Sequence, residues 1–286
     1  MDEKLKVQSP WIINLGSIRD AMEKQRGKQE RILALKGDLK ELDSEKFNYT
    51  LMPEPYIGNP DAEIYLLNLN PGLDKLLELK DAEEIKLLKS RFEKHILCNY
   101  AFYDDIDGIS CEKYKEFPFY HLDPHYKCFQ GFWWWYGKLR PLIEKVSEKP
   151  GFSKLEEAFK KVASSIFDIE LLPYHSKNFG SGHDFVKRLG EGNNDKPCLE
   201  SVKYNIRLVE DALRKNKTII IMKGRVEWVE LIKRMPDYKK AENRVYKLIS
   251  TQNSVMTENN ISPLFNCDDP KKSIMKELAD IIVTKK

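Results

Sequence analysis

The sequence predicts a three-layer α/β domain with a central, mostly parallel four-stranded sheet, preceded by a helical N-terminal extension. Three observations predict it. Short apolar runs alternate with stretches whose apolar residues recur at helical spacing. The runs are near-continuous rather than alternating, as in strands buried on both faces. Each is closed by Pro, Gly or Asn, the residues that interrupt strands. The chain has 286 residues and is 41% hydrophobic, enough to bury a sizeable core.

In chain order, residues 1–50 are rich in Lys and Glu, and Ile32, Leu33, Leu35, Leu39 and Leu42 give the stretch 18–42 helical spacing. They form the extension, and residues 51–286 form the α/β domain. Prolines from Pro53 to Pro60 forbid a helix there. Ile64–Leu69 reads as a buried strand. Asp81–Leu97 reads as an amphipathic helix with Ile85, Leu87, Leu88, Phe92 and Ile96 on its apolar side. Residues 99–131 are irregular and aromatic. The run Phe132–Tyr136 opens a helix through Leu139, Leu142 and Ile143, and its tryptophans, Trp133 to Trp135, read as core. A second strand lies within Val162–Leu172. Gly180–Pro197 reads as a loop, Cys198–Lys215 as a helix, Thr218–Met222 as a β-branched strand and Val226–Met235 as a helix. Val245–Ile249 is the fourth strand, and Lys271–Ile282 the last helix.

Composition narrows the function. A net charge of +3 permits binding to a phosphate backbone without demanding it. The five cysteines form no Cys-x-x-Cys pair, which argues against a zinc ribbon or iron–sulfur site. They are expected to be free thiols in a reducing, cytoplasmic setting. No signal peptide is evident, and no apolar run approaches the ~20 residues that span a bilayer. No membrane or obligate protein partner is implied. His121 and His125 flank Asp123-Pro124 without a convincing third ligand, so no metal site is expected.

In open α/β sheets ligands bind beyond the carboxyl ends of the strands. Four strands here end in polar or punctuated sequence: Asn68-Leu-Asn-Pro-Gly72, Glu170-Leu-Leu-Pro-Tyr-His-Ser176, Lys223-Gly-Arg225 and Ser250-Thr-Gln-Asn-Ser254. Their convergence makes one cleft. Asn70 precedes a proline, which holds its backbone out of the helical region. Gly72 can take positive φ and let a ligand approach the main chain. The Asn70 amide can hold a water without a shifted pKa, or it can simply cap a tight turn.

The stretch Gly58-Asn-Pro-Asp-Ala-Glu-Ile-Tyr-Leu-Leu-Asn-Leu-Asn-Pro-Gly72 resembles the first motif of the uracil-DNA glycosylase superfamily, especially its mismatch-specific branch. Asn68, Leu69, Asn70, Pro71 and Gly72 match that motif, without its leading glycine. The water-positioning asparagine of the family falls on Asn70. Phe167 to Tyr174 resembles the pattern of the single-strand-selective branch whose asparagine reads the flipped base, and Glu170 occupies that position. Residues 247–260 resemble the family's duplex-wedging loop, and residues 219–228 the strand and helix before it. The resemblance runs from about Pro53 to Ile261 and leaves the first 50 residues unmatched.

The resemblance implies a uracil-DNA glycosylase-like fold and a DNA glycosylase without a cofactor, acting on DNA in base-excision repair or against foreign DNA with modified bases. Such an enzyme extrudes the nucleotide and hydrolyses its N-glycosidic bond. Asn70 would orient the water, with His175 contacting a phosphate or the leaving base. Asn68, Pro71, Gly72, Tyr120 and Glu170 would hold the base, with Tyr120 stacking on it and Phe117 and Phe119 nearby. Lys177, Arg225, Gln252 and Asn253 would contact DNA, Val255 or Met256 supplying an apolar wedge. An ionised Glu170 only accepts hydrogen bonds, favouring an amine-bearing, modified cytosine over uracil, whereas a protonated one also donates. Glu170 paired with Lys177 or Arg225 is the structural alternative. Two other functions fit the same residues: a catalytically inactive nucleic-acid-binding module, and a hydrolase of free nucleosides or nucleotides.

Overall fold

A computed structural model describes residues 1–23, 34–39, 42, 47–74, 76, 83–106, 108–176, 199–250, 252–265 and 273–284. All four expected strands form: β2 (Ile64–Asn68), β3 (Ile166–Glu170), β4 (Thr218–Ile221) and β5 (Val245–Leu248). They pair in parallel in the order β3-β2-β4-β5. Every residue of β2, β3 and β4 is buried, including the carboxyl-bearing Asp168 and Glu170 of β3.

The sheet has six strands rather than four. β1 (Tyr56–Gly58) pairs antiparallel with β3, and β6 (Ile261–Pro263) antiparallel with β5. Both are three residues long and border prolines, so they carry no periodicity of their own. Prolines are tolerated at such edges because no neighbour needs their missing amide. This polarity positions the site. Running opposite to its neighbours, β1 enters at the carboxyl end of the parallel strands, and the loop from β5 to β6 turns at that same end.

Helices α1 (Glu3–Val7) and α2 (Pro10–Ile13) precede the stretch 18–42, within which α3 (Leu15–Glu23) ends and α4 (Lys36–Leu39) lies; Ile32 and Leu33 lie outside the described residues. α5 (Glu83–Tyr100) buries Phe92 and Ile96 but leaves Leu87 exposed, so Leu87 is off the apolar face. α6 (Gln130–Ser147), α7 (Leu155–Ser165) and α10 (Ile274–Thr284) pack on one another. α8 (Glu200–Arg214) packs on α9 (Arg225–Ile232), α2 and α4. Sequence patterning did not reveal α7. Its N-terminus is closed by Glu157, whose carboxylate accepts from the Ser153 and Lys154 amides.

Residues 1–50 do not stand apart from the core. Trp11 is fully buried, 5.3 Å from Tyr100 and 6.4 Å from Tyr174 between ring centres. Phe47 and Tyr49 meet Tyr174 edge-on. The Tyr174 hydroxyl donates to Asp38 (2.7 Å), which accepts from the Glu200 amide at the start of α8 (2.9 Å).

Cys98 and Cys111 form a disulfide, correcting the expectation of free thiols; Cys128 is free, and Cys198 and Cys267 lie outside the described residues. Closing a loop of 13 residues is worth about 3 kcal/mol through the unfolded chain. Cys98→Ala with Cys111→Ala is expected to lower unfolding stability by about that amount. The check is urea denaturation under oxidising conditions, with the gap closing when wild type is reduced.

Candidate active site

A cleft of about 400 Å³ opens at the carboxyl end of the sheet. Asn68 and Glu170 are register partners at the ends of β2 and β3, and both line it. Lys223 follows β4 into the same wall. Glu54 reaches it because its chain is tied at that end: the Glu54 amide donates to Pro173 O (2.8 Å), and Pro55 O accepts from the Glu170 amide (3.0 Å). Asn70, Pro71, Gly72 and His175 complete that side.

The Asn68–Gly72 corner is held from several directions. The Trp228 indole N–H and the Leu171 amide donate to Asn68 O (2.7 and 3.1 Å), and the Leu172 amide donates to Leu69 O (2.8 Å). Gly224, at φ +69°, passes so close to Leu69 that a Cβ would lie 2.1 Å from its Cδ2. Only glycine fits this exit from β4. Gly72 itself does not take positive φ, contrary to expectation. What it offers is space, since a Cβ there would meet nothing within 4 Å.

Asn70 uses its amide nitrogen internally, donating to Pro71 O (2.9 Å) and Ser176 Oγ (2.8 Å), with Tyr174 O at 3.4 Å. Two carbonyl oxygens against one end of the amide fix its orientation, because a flip would set oxygen against oxygen. The side-chain oxygen has no partner among the described residues. It is an oriented acceptor on a cleft-lining side chain, the attribute needed to hold a water by its O–H. The main chain of this corner is engaged as well: Gly72 pairs with Ser176 in an isolated parallel bridge, with the Ser176 amide on Pro71 O (3.4 Å).

His175 is placed differently from expectation. Its Nδ1 lies 2.8 Å from Gly72 O and its Nε2 2.9 Å from Met52 O, with Glu54 Oε1 at 3.4 Å. Both ring nitrogens are engaged by the protein, so neither is left to contact a phosphate or base. His175 pins the Pro71-Gly72 corner instead.

Glu54, which sequence patterning did not reveal, lies beneath that corner, buried between two histidines. Its Oε2 accepts from the Tyr120 hydroxyl (3.1 Å) and sits 2.7 Å from His121 Nε2. Burial pushes its carboxyl up, but the neighbouring His121 and His175 more than offset this and hold it below the ordinary carboxylate range. Tyr120 is fully buried and lines no part of the cleft, so the reading of Tyr120 as the stacking wall is corrected. Phe117 and Phe119 are buried too.

Glu170 has the opposite setting. It is 4% exposed, and its Oε2 has no hydrogen-bond partner among the described residues. Asn205 donates to its main-chain oxygen, not to its carboxyl (2.6 Å). Burial, then the nearby Asp168 and Glu54, push its carboxyl well above the ordinary range; Lys223 opposes them. Burial raises Asp168 too, against the Asn68 amide that donates to it at 2.8 Å. The environment therefore favours a neutral Glu170, which both donates and accepts, and the acceptor-only reading does not hold. It makes no ion pair with Arg225, which lies elsewhere.

Trp134 and Trp135, read from sequence as core, line the cleft, whereas Trp133 is exposed. The ammonium groups of Lys223 and Lys138 lie 5.2 and 5.4 Å from the Trp134 ring. Burial, then Lys223, hold Lys138 below its usual range, so the two cations feel each other. Phe92 and Phe129 complete the aromatic side.

Arg225 is exposed on a separate shallow groove with Lys233, Lys247 and Phe265. Gln252 and Asn253 form an exposed turn braced by Asn260, which donates to Asn253 O and Val255 O. Met256 is fully buried, its amide on Lys138 O (3.0 Å), so Met256 is not the wedge; Val255 is half-buried. Lys177 and the loop Gly180–Pro197 lie outside the described residues. No helix among the described residues is long and apolar enough to cross a membrane. Comparison with known proteins returns no match to a family model, a curated protein or a solved structure.

Proposed function

We propose that this chain is a monofunctional DNA glycosylase that hydrolyses the N-glycosidic bond of a non-standard base extruded from DNA. The observation that carries the reading is the Asn70 amide, its donors tied to Pro71 and Ser176, in one cleft with Glu170. A cleft of about 400 Å³ suits a single nucleoside. Trp134, half-buried in the cleft wall, offers a ring for a base, and Asn68 and Glu170 offer polar groups for its edge.

The test is incubation with single- and double-stranded oligonucleotides bearing a panel of bases, followed by alkali and gel analysis. Strand breaks with wild type but not with Asn70→Ala support the proposal. Binding without breaks points to a silent module, and cleavage of free nucleosides alone to a metabolite hydrolase. Lys138 and Lys223, both close to the Trp134 ring, are assigned to the phosphates flanking the extruded nucleotide. Changing both to alanine is expected to lower the slope of log binding constant against log salt by about 1.5, read by fluorescence anisotropy.

A further inference from the structure

Three carboxyl groups line the cleft: Asp74 is taken up by the Gln130 and Leu76 amides (2.6 and 2.9 Å), and the fold gives the other two, Glu54 and Glu170, opposite tendencies. Glu54 accepts from Tyr120 and faces His121, while the Glu170 carboxyl has a buried oxygen with no partner among the described residues. They are neighbours through the Glu170 amide on Pro55 O (3.0 Å). We propose that Glu170 is the general acid that protonates the leaving base while Glu54 takes the proton of the attacking water, and that the substrate base is an amine-bearing pyrimidine of the cytosine class. This rests on the glycosylase reading and deepens it.

The step balances as follows. The Glu170 O–H proton moves to the ring nitrogen N3 of the base. The C1′–N1 bond breaks and its electron pair stays with the base, which leaves neutral. Water held by Asn70 forms the new O–C1′ bond and gives its spare proton to the Glu54 carboxylate. Exchange with solvent then removes the proton from Glu54 and restores the one on Glu170. No oxidant, reductant or further reactant is consumed.

The substrate class follows from leaving ability. The anion left at N1 of uracil is shared by two ring carbonyls, so it departs without a proton donor. A cytosine ring has only one such carbonyl to share the charge, but it has a basic N3. A donor poised at the ring edge is therefore needed for the second class and superfluous for the first. Pairs of acids whose surroundings drive them apart mark acid and base roles. The groups facing Glu170 are Asp168 on its own strand, Asn68 from β2, Glu54 from the segment before β1 and Lys223 after β4; only Lys223 favours its ionised form. Glu54 faces His121, His175 and Tyr120.

Glu170→Gln keeps the shape and the neutral donor–acceptor pair but removes the transferable proton. Its test is a series of oligonucleotides with 5-methylcytosine, cytosine and 5-fluorocytosine, which varies leaving ability at a constant ring edge. Wild-type single-turnover rates are expected to change little along the series. The variant should lose about 100-fold or more on 5-methylcytosine and less on 5-fluorocytosine. The wild-type rate should also fall at alkaline pH, as Glu170 ionises, a limb absent from the variant. The proposal is overturned by an equal loss along the series, by a wild-type profile without that limb, or by a wild type that cleaves only uracil-type bases. The wild-type slope and profile decide the matter even if the variant misfolds. A wild type inert on every base removes the glycosylase reading and this proposal together, an outcome distinct from the other three.

Discussion

Asn70→Ala is expected to slow base release by about 100- to 1000-fold, the scale seen when one oriented polar group is removed from a hydrolytic site. The amide nitrogen is spent on Pro71 O and Ser176 Oγ, so the oxygen is the part facing the chemistry. Alanine removes that oxygen and leaves the water without its acceptor. Asn70 is only half-buried and its corner is independently held through Asn68 O and Leu69 O, so the fold should survive. Single-turnover rates at saturating enzyme should fall, with oligonucleotide affinity nearly unchanged. Asn70→Asp should not rescue the rate, because a carboxylate would set a charged oxygen against the carbonyls of Pro71 and Tyr174. A variant that releases base at the wild-type rate would remove Asn70 from the chemistry.

Glu54→Ala should cost about 3–5 kcal/mol of stability, the range for stripping one partner from a buried charged group. Two groups lose their acceptor at once, the Tyr120 hydroxyl and His121 Nε2, and His175 Nε2 loses a carboxylate oxygen 3.4 Å away. The measurement is a urea midpoint falling with little change in slope. The pH dependence follows from the depressed carboxyl. Glu54 releases its proton more readily folded than unfolded, so its contribution is present above the ordinary carboxylate range and is lost as pH falls through its folded value. The difference between wild type and Glu54→Ala should therefore shrink on acidification. A difference constant down to strongly acidic pH would mean that the carboxylate charge is not what stabilises the site.

The parallel strands were legible because each is a short, mostly apolar or β-branched run that ends in polar or chain-breaking sequence, as in Thr218–Met222 before Gly224, even where Asp168 or Lys247 interrupts it. The antiparallel edges were not, since Tyr56–Gly58 sits between prolines and Ile261–Pro263 is half polar. The Asn70 corner was legible from Asn-Pro-Gly alone. Glu54 was hidden because a single glutamate between two prolines has no pattern; its one signal is a charge in a stiff segment flanked by apolar residues. Trp134 was hidden inside an aromatic run, where helical spacing sorts the three rings: Trp135 to the core, Trp133 to solvent, Trp134 between them. The Cys98–Cys111 pairing spans two elements with no motif linking them.

The surroundings of Tyr174 carry a consequence for anyone trimming this chain. Trp11, Phe47, Tyr49 and Asp38 all bear on that one ring, and the next residue, His175, steadies Gly72. The described residues of this leading segment thus act as a splint, fastened far from the reacting atoms yet setting how rigidly they are presented. A fragment cut to begin at residue 51 would retain every side chain assigned to chemistry and lose the brace behind them.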